Sequence, residues 1–282
     1  MFKMGTVKEV ARSTLQPKGS YLPLKAFDKI VYDDGIVLGD NENVHGSLIG
    51  AASEYLTGVV LGESVEDCFK VPLIGAYNAD AEMPGSYVAA EKMVTEIKGL
   101  DDCSVYNALS VASFDVWYRD YSYAISSPRY NEICPNEDTV RNVQTIVQRT
   151  VDLFKRFGGI KAHGFNFDPE GKTPDDHLKW IGRSRKSNFG GYSQKVYNGE
   201  GDYLTTDTMW DIKVLKSKIT NKHTLQLLMY WVMGQHSGRE LFKEVSRIGL
   251  FNPRTNTAYL LDMNMFSRDI IHAVEKDVIE YV

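Results

Sequence analysis

The chain has 282 residues, with 32 basic and 37 acidic side chains and a formal net charge of −5. The hydrophobic share of 43% is ordinary for a globular protein, and the acidic balance argues against broad electrostatic adhesion to nucleic acid. No apolar core follows the first basic residues, and no apolar run is long enough to span a bilayer. We therefore expect a cytoplasmic protein with no membrane partner.

Three cysteines, Cys68, Cys103 and Cys134, lie far apart in the chain. They form no Cys-x-x-Cys pair, which argues against a zinc ribbon, and they are too few for a four-cysteine iron–sulfur cluster. We expect three reduced, mostly buried thiols.

The N-terminal half reads as mainly helical. Its first 45 residues mix apolar clusters with turns and predict an irregular or partly β segment, whereas the small and apolar residues of 46–60 favour a packed helix that contains Glu54. The remaining expectations for this half are a helix or strand at 63–80, helices at 86–98 and 101–120, and a loop at 121–135.

A long helix is predicted to begin after Asn136, because Asn136 can cap it and two acidic residues follow in the first turn. Residues 160–190 then read as a loop-rich, basic segment in which cations alternate with aromatic residues. One interpretation is a solvated insertion. The other is a nucleic-acid-binding loop, with cations on phosphates and aromatic rings stacked on bases. The cations proposed for this binding are Lys179, Arg183, Arg185 and Lys186.

The C-terminal part alternates strands and helices. A strand at 191–196, a hairpin turn at Asn198 and Gly199, and a second hairpin around Thr205–Thr208 are expected. The elements that follow are a helix at 220–235, strands at 244–251 and 257–263, and a closing helix from Ser267.

The second hairpin carries the residues with the clearest chemistry. Asp211 and Lys213 are two apart on a strand and therefore share a face, and the hairpin could bring Asp202 beside Asp211. Two carboxylates suit Mg²⁺, which activates water and holds phosphate charge, and a lysine can orient the attacking water. The alternative is an ordinary amphipathic hairpin whose charges face solvent.

This order of residues resembles a known family. Gly-Asp, a hairpin, Asp-x-Lys, and then Gln226 and Tyr230 four apart on a helix are similar to the PD-(D/E)XK nuclease superfamily, in particular its RecB-like and lambda-exonuclease-like branch. The resemblance implies that Asp202 and Asp211 bind metal, that Lys213 is catalytic, and that Gln226 and Tyr230 lie beside the site. Gly201 stands where the motif has proline.

The resemblance also implies a fold. We expect an α/β protein with a restriction-endonuclease-like core, in which helices flank a mixed central β-sheet, and a mainly helical N-terminal part. A single domain over residues 1–282 is expected, with the best-matched core at 136–282 and the first core helix at 46–60. Glu54 on that helix is the candidate third catalytic and metal-binding acid, and Glu91 is its rival.

The function these features predict is that of a nuclease dependent on Mg²⁺ or Mn²⁺ that hydrolyses phosphodiester bonds of DNA, an exonuclease being one form. A nucleic-acid-binding or assembly protein that has lost cleavage on the same fold is the first alternative. A structural protein with surface charges on the hairpin is the second.

Overall fold

The computed structural model describes residues 4–183 and 187–282. The chain divides into two compact units, one made of Met1–Tyr32 with Phe157–Val282 and the other of Asp33–Arg156. We call them the sheet unit and the helical unit. The single domain predicted for residues 1–282 thus contains two compact units, and the segment 136–282 contributes its first helix to the helical unit.

Helices and strands are numbered along the whole chain. The α-helices of the described residues are α1 (Val7–Ser13), α2 (Gly46–Val60), α3 (Val65–Cys68), α4 (Lys70–Ala79), α5 (Ser86–Glu96), α6 (Asp102–Ala112), α7 (Asp115–Arg119), α8 (Tyr121–Ala124), α9 (Glu137–Arg156), α10 (Pro174–Ile181), α11 (Asn221–Ser237) and α12 (Arg268–Ala273). The strands are β1 (Gly5–Thr6), β2 (Asp28–Val31), β3 (Ala162–Phe165), β4 (Val196–Asn198), β5 (Gly201–Leu204), β6 (Thr208–Ile212), β7 (Arg247–Asn252) and β8 (Thr257–Asp262).

A mixed β-sheet forms the centre of the sheet unit. Its described strands follow the order β2-β8-β7-β6-β5-β3, in which β6 and β7 run parallel and the other neighbours are antiparallel. Parallel neighbours need a crossover connection, and α11 supplies it and packs on both strands. The predicted α/β class, with helices flanking a mixed central sheet, is confirmed.

The hairpin of β5 and β6 forms where the sequence predicted it. Tyr203 pairs with Trp210 and Leu204 with Met209, and the Thr205 amide donates to the Thr208 carbonyl at 3.0 Å across the turn. All residues of β6 except Ile212 are buried, as expected for a strand in the middle of a sheet.

The described residues of the helical unit contain helices and no strand. The helix predicted at 46–60 is present as α2, and α9 begins after Asn136, whose side-chain oxygen accepts a hydrogen bond from the Thr139 amide at 2.9 Å. Residues 63–80, left open between helix and strand, are helical as α3 and α4. The loop expected at 121–135 contains the short helix α8. The expectation that the three thiols are mostly buried was wrong, because Cys68 is buried whereas Cys103 and Cys134 are exposed.

Two expectations for the segment between α9 and β5 were wrong. Residues 160–190 are not loop-rich throughout, because β3 pairs with β5 and α10 begins at a capping box in which Thr173 and Asp176 exchange hydrogen bonds. The strand lies at Val196–Asn198 rather than at 191–196, and it pairs in parallel with β1. Asn198 and Gly199 therefore do not close a hairpin.

The chain closes with α12, which continues into a π-helical segment at Val274–Ile279. None of the helices in residues 4–183 and 187–282 is both long and apolar enough to cross a membrane.

Candidate active site

Five predicted site residues lie in the sheet unit, and we call this group the carboxylate site: Asp202 on β5, Asp211 on β6, Lys213 just after β6, and Gln226 and Tyr230 on α11. The pairing of β5 with β6, continued by one residue, sets Asp202 opposite Asp211. Residues opposite each other on antiparallel strands project from the same face of the sheet. The hairpin therefore gives the shared face that the sequence predicted.

Asp211 and Lys213 form a buried ion pair. The Lys213 Nζ donates to Asp211 Oδ1 at 2.8 Å, and the Asp211 side chain is 1% exposed. The Lys213 amide also donates to the Phe251 carbonyl, which extends the ladder between β6 and β7 and fixes the position of Lys213. Asp211 Oδ2 is buried with no hydrogen-bond partner. An unpaired buried carboxylate oxygen is costly, and such an atom is commonly reserved for an ion or ligand.

Asp202 is half-buried, and one of its oxygens is used by the backbone. Its Oδ2 accepts a hydrogen bond from the Ile212 amide at 2.7 Å. This bond ties the carboxylate of β5 to the backbone of β6 next to Asp211. Asp202 thus helps to hold the end of the hairpin and lies where it could share a ligand with Asp211.

Gln226 and Tyr230 are buried on α11, which packs against β6 and β7. The Gln226 Nε2 donates to the Tyr230 hydroxyl at 3.0 Å, so the Tyr230 proton can be donated to another acceptor. Burial, followed by the charges of Asp211 and Asp202, raises the pKa of Tyr230 well above its ordinary value. The phenol stays protonated at neutral pH and can act as a hydrogen-bond donor.

Three further side chains near this site were missed in the sequence. His223 lies one turn before Gln226 on α11, and burial lowers its pKa, as do the charges of Lys213, Arg12 and Lys8, while Asp211 raises it. Lys8 and Arg12 come from α1, which packs on α11. No local pattern could have linked them to residues that lie about 200 positions later in the chain.

Gly201 shows why the motif lacks proline here. Gly201 pairs with Phe165 across β5 and β3, and a Cβ at position 201 would lie 2.3 Å from the Phe165 ring. The glycine gives the aromatic ring the space beside the backbone that carries Asp202.

Glu54 and Glu91 both belong to the helical unit. Glu54 is exposed on α2, a helix that packs against α6 and α9, and its charge acts on Tyr55 and Asp115. Glu91 is exposed on α5 and bonds to Tyr87. The participation of either glutamate in metal binding stays a prediction.

The basic segment has a different architecture from the predicted loop. Lys179 is exposed on α10 and Arg183 is exposed just after it, whereas Arg185 and Lys186 lie outside the described residues. The helix is held by His177, whose Nδ1 lies 2.6 Å from Asp168 Oδ1 and whose Nε2 lies 2.9 Å from the Tyr197 carbonyl. Nucleic-acid binding by these cations stays a prediction.

The donor set of the carboxylate site suits a hard cation. Throughout residues 4–183 and 187–282 there is no group of three or more His, Cys, Asp or Glu side chains that could hold a metal. Two carboxylates with one unpaired buried oxygen nevertheless fit Mg²⁺ or Mn²⁺, since Mg²⁺ is usually held by one or two carboxylates together with water and substrate phosphate.

Comparison with known proteins gives no relative: no family model, no curated protein and no solved structure matches the chain.

Proposed function

We propose that this protein is a nuclease that uses Mg²⁺ or Mn²⁺ to hydrolyse phosphodiester bonds of DNA. The observation that carries the proposal is the buried Asp211, which has Lys213 on one oxygen and no partner on the other. An incompletely hydrogen-bonded, buried carboxylate beside a lysine is typical of a reactive site.

The order of elements also supports the proposal. The strands β3, β5 and β6 form an antiparallel series, α11 crosses over, and β7 pairs in parallel with β6. The resembled superfamily implies three strands, a helix and a further strand in this order, with the acid and lysine on the third strand and the Gln-x-x-x-Tyr pair on the helix.

Charge is divided unevenly between the two units. Asp33–Arg156 contains 20 acidic and 9 basic residues, a net charge of −11, whereas the sheet unit contains 17 acidic and 23 basic residues, a net charge of +6. The unit that carries the carboxylate site is therefore the basic one. A basic unit suits a polyanionic substrate, which the charge of the whole chain conceals.

Each residue of the site has a role in the proposed reaction. Asp202 and Asp211 would hold the metal, which lowers the pKa of water and stabilises charge on the phosphate. The Lys213 ammonium would orient the attacking water or neutralise charge that develops on the phosphate. Tyr230, protonated and supported by Gln226, would donate a hydrogen bond to the substrate.

A cleavage assay with Mg²⁺ or Mn²⁺ on linear, circular and single-stranded DNA tests the proposal. We expect hydrolysis by the wild type and a loss of about a thousandfold in Asp211→Asn and in Lys213→Met, the upper end of the range for removing one preorganised electrostatic group. Asp28→Asn, an exposed change on β2, is the control and should cleave like the wild type. Near wild-type turnover in a folded Asp211→Asn variant would contradict the assignment.

The alternative is a nucleic-acid-binding protein that has lost cleavage. The absence of a three-ligand group among the described residues favours this alternative. Binding of DNA by the wild type without hydrolysis under any of these conditions would support it.

A further inference from the structure

The helix α1 lies against the carboxylate site. Its buried residues Val7, Val10 and Ala11 belong to the same hydrophobic core as Tyr230. A Cβ at Gly199 would lie 2.4 Å from Val7 Cγ2 and 3.5 Å from the Tyr230 ring, so α1, the chain leading into β5 and the site tyrosine are in close contact.

The outer face of α1 is cationic. Lys8 and Arg12 are exposed and four residues apart, which sets them one above the other on the helix. Glu9, the acidic residue of the helix, accepts a hydrogen bond from the Thr6 amide at 2.8 Å as part of the N-terminal capping box. Lys8 and Arg12 lie close enough to act electrostatically on His223, together with Lys213.

Several contacts fix α1 in this position. The Gly5 amide donates to the Lys195 carbonyl at 3.0 Å where β1 pairs with β4. After the helix, Gln16 Nε2 donates to the Asn221 carbonyl at 2.8 Å, at the start of α11. The two cations are therefore presented by an anchored helix, and little ordering is needed when an anion binds.

A second basic segment begins at the site itself. Residues 213–222, which comprise the connection from β6 to α11 and the first two residues of α11, contain four lysines and no acidic residue. The last three are exposed. Because Gln16, three residues after α1, is hydrogen-bonded to Asn221, the chain that follows α1 lies beside the C-terminal end of this segment. The lysines are Lys213, Lys216, Lys218 and Lys222.

We propose that Lys8 and Arg12 of α1, together with Lys216, Lys218 and Lys222, bind the phosphate backbone of a nucleic acid and lead it to the carboxylate site. We call these five residues the α1 surface. The inference rests on the proposed function in that it takes the substrate to be a nucleic acid. Ammonium and guanidinium groups contact phosphates without reading bases, so binding by the α1 surface is independent of sequence.

The test is a fluorescence-anisotropy titration of two duplex oligonucleotides of unrelated sequence, carried out in EDTA over a range of salt concentrations. Lys8→Ala with Arg12→Ala removes two phosphate contacts. The slope of log K against log salt should therefore become shallower by about 1.8, and affinity near 0.1 M salt should fall at least about tenfold for both sequences. Lys25→Ala with Lys29→Ala, exposed changes near and on β2 at the other edge of the sheet, is the matched control and should leave the slope unchanged.

Two outcomes overturn the inference in distinguishable ways. If the wild type binds and the Lys8 and Arg12 variant binds with the same salt slope, the α1 surface is wrong while the proposed function stands. If the wild type binds no nucleic acid, the proposed function fails as well. Lys8→Arg with Arg12→Lys keeps both charges and should restore the slope, which separates loss of charge from damage to α1.

Discussion

Each unit of the molecule contains an ion pair with one buried member, Arg149 in the helical unit and Asp211 in the sheet unit, and the two pairs differ in how completely they are hydrogen bonded. In the helical unit, Arg149 Nε and Nη2 donate to the two oxygens of Asp34 at 2.6 and 2.8 Å, and Nη2 also donates to the Ile36 carbonyl at 2.7 Å. In the sheet unit, Lys213 reaches one oxygen of Asp211, and the other oxygen is buried and unpaired.

Under the proposed function, this difference separates a structural ion pair from a reactive one. A carboxylate whose oxygens both accept hydrogen bonds, as in Asp34, is held in one geometry and has no oxygen left without a partner for a ligand. A buried carboxylate with one oxygen that has no hydrogen-bond partner carries an unfavourable desolvation cost, which a bound cation would relieve. Asp211 therefore differs from Asp34 both in its burial and in having an oxygen without a hydrogen-bond partner.

The largest expected effect is the loss of stability when the ion pair of the helical unit is broken. Arg149→Met should lower the free energy of unfolding of the helical unit by about 3 kcal/mol, because it removes the charge-assisted hydrogen bonds that Arg149 donates to Asp34. Cleavage per folded molecule should not change. Urea titration measures the loss, and Arg141→Met, which removes an exposed pair with Glu137 on the same helix, should cost less than about 0.5 kcal/mol.

The ion pair of Arg149 and Asp34 should also make the free energy of unfolding depend on pH. The hydrogen bond from Arg149, as the largest cause, lowers the pKa of Asp34 from 3.8 to about 2. Because the folded-state pKa is depressed, the stabilisation is complete above pH 4 and is lost as the pH falls towards 2. Arg149→Met should abolish this acid transition. Equal acid sensitivity in wild type and variant would refute the structural role.

The next largest expected effect is the stabilisation of the fold by a bound metal, which should depend on Asp211 and not on Asp34. Mn²⁺ at about a hundred times its dissociation constant should raise the free energy of unfolding by roughly 2.7 kcal/mol. Asp202→Asn and Asp211→Asn should remove that gain, whereas Asp34→Asn should be less stable than the wild type and keep it. Melting curves in Mn²⁺ and in EDTA make the measurement. A gain that survives in Asp211→Asn would place the metal elsewhere.

The smallest effect concerns the cations near α10. Lys179→Ala with Arg183→Ala should weaken DNA binding about tenfold for all sequences and make the salt dependence shallower by up to about 1.8. Lys92→Ala with Lys98→Ala removes two exposed lysines of the acidic helical unit and should change neither quantity. An unchanged slope in the first variant would leave the segment as a solvated insertion.

Local patterns were sufficient to predict much of this architecture. Spacing and caps gave α2 and α9 within a residue or so, and β-propensity around a polar turn gave the hairpin of β5 and β6. The shared face of Asp211 and Lys213 follows from strand periodicity alone. These features depend on neighbours in the sequence, which is why the sequence was informative.

Non-local contacts account for the failures. The strand β4 pairs with β1, about 190 residues away, and not with the segment that follows the Asn198–Gly199 turn. The edge strand β3 is short and contains Gly164, so it carried little strand signal. Lys8 and Arg12 come near the site through the packing of α1 on α11. The lack of a hydrogen-bond partner for Asp211 Oδ2 depends on the three-dimensional arrangement of its neighbours.

The contact between Gly201 and Phe165 has a consequence for how this chain can change over evolutionary time. A proline or any other residue with a Cβ at position 201 collides with the Phe165 ring, and removal of that ring alone leaves a cavity in the core. Each single step is unfavourable, although the double change could be tolerated. Positions 165 and 201 are therefore epistatic. As long as Phe165 is present, position 201, immediately before Asp202, is restricted to glycine.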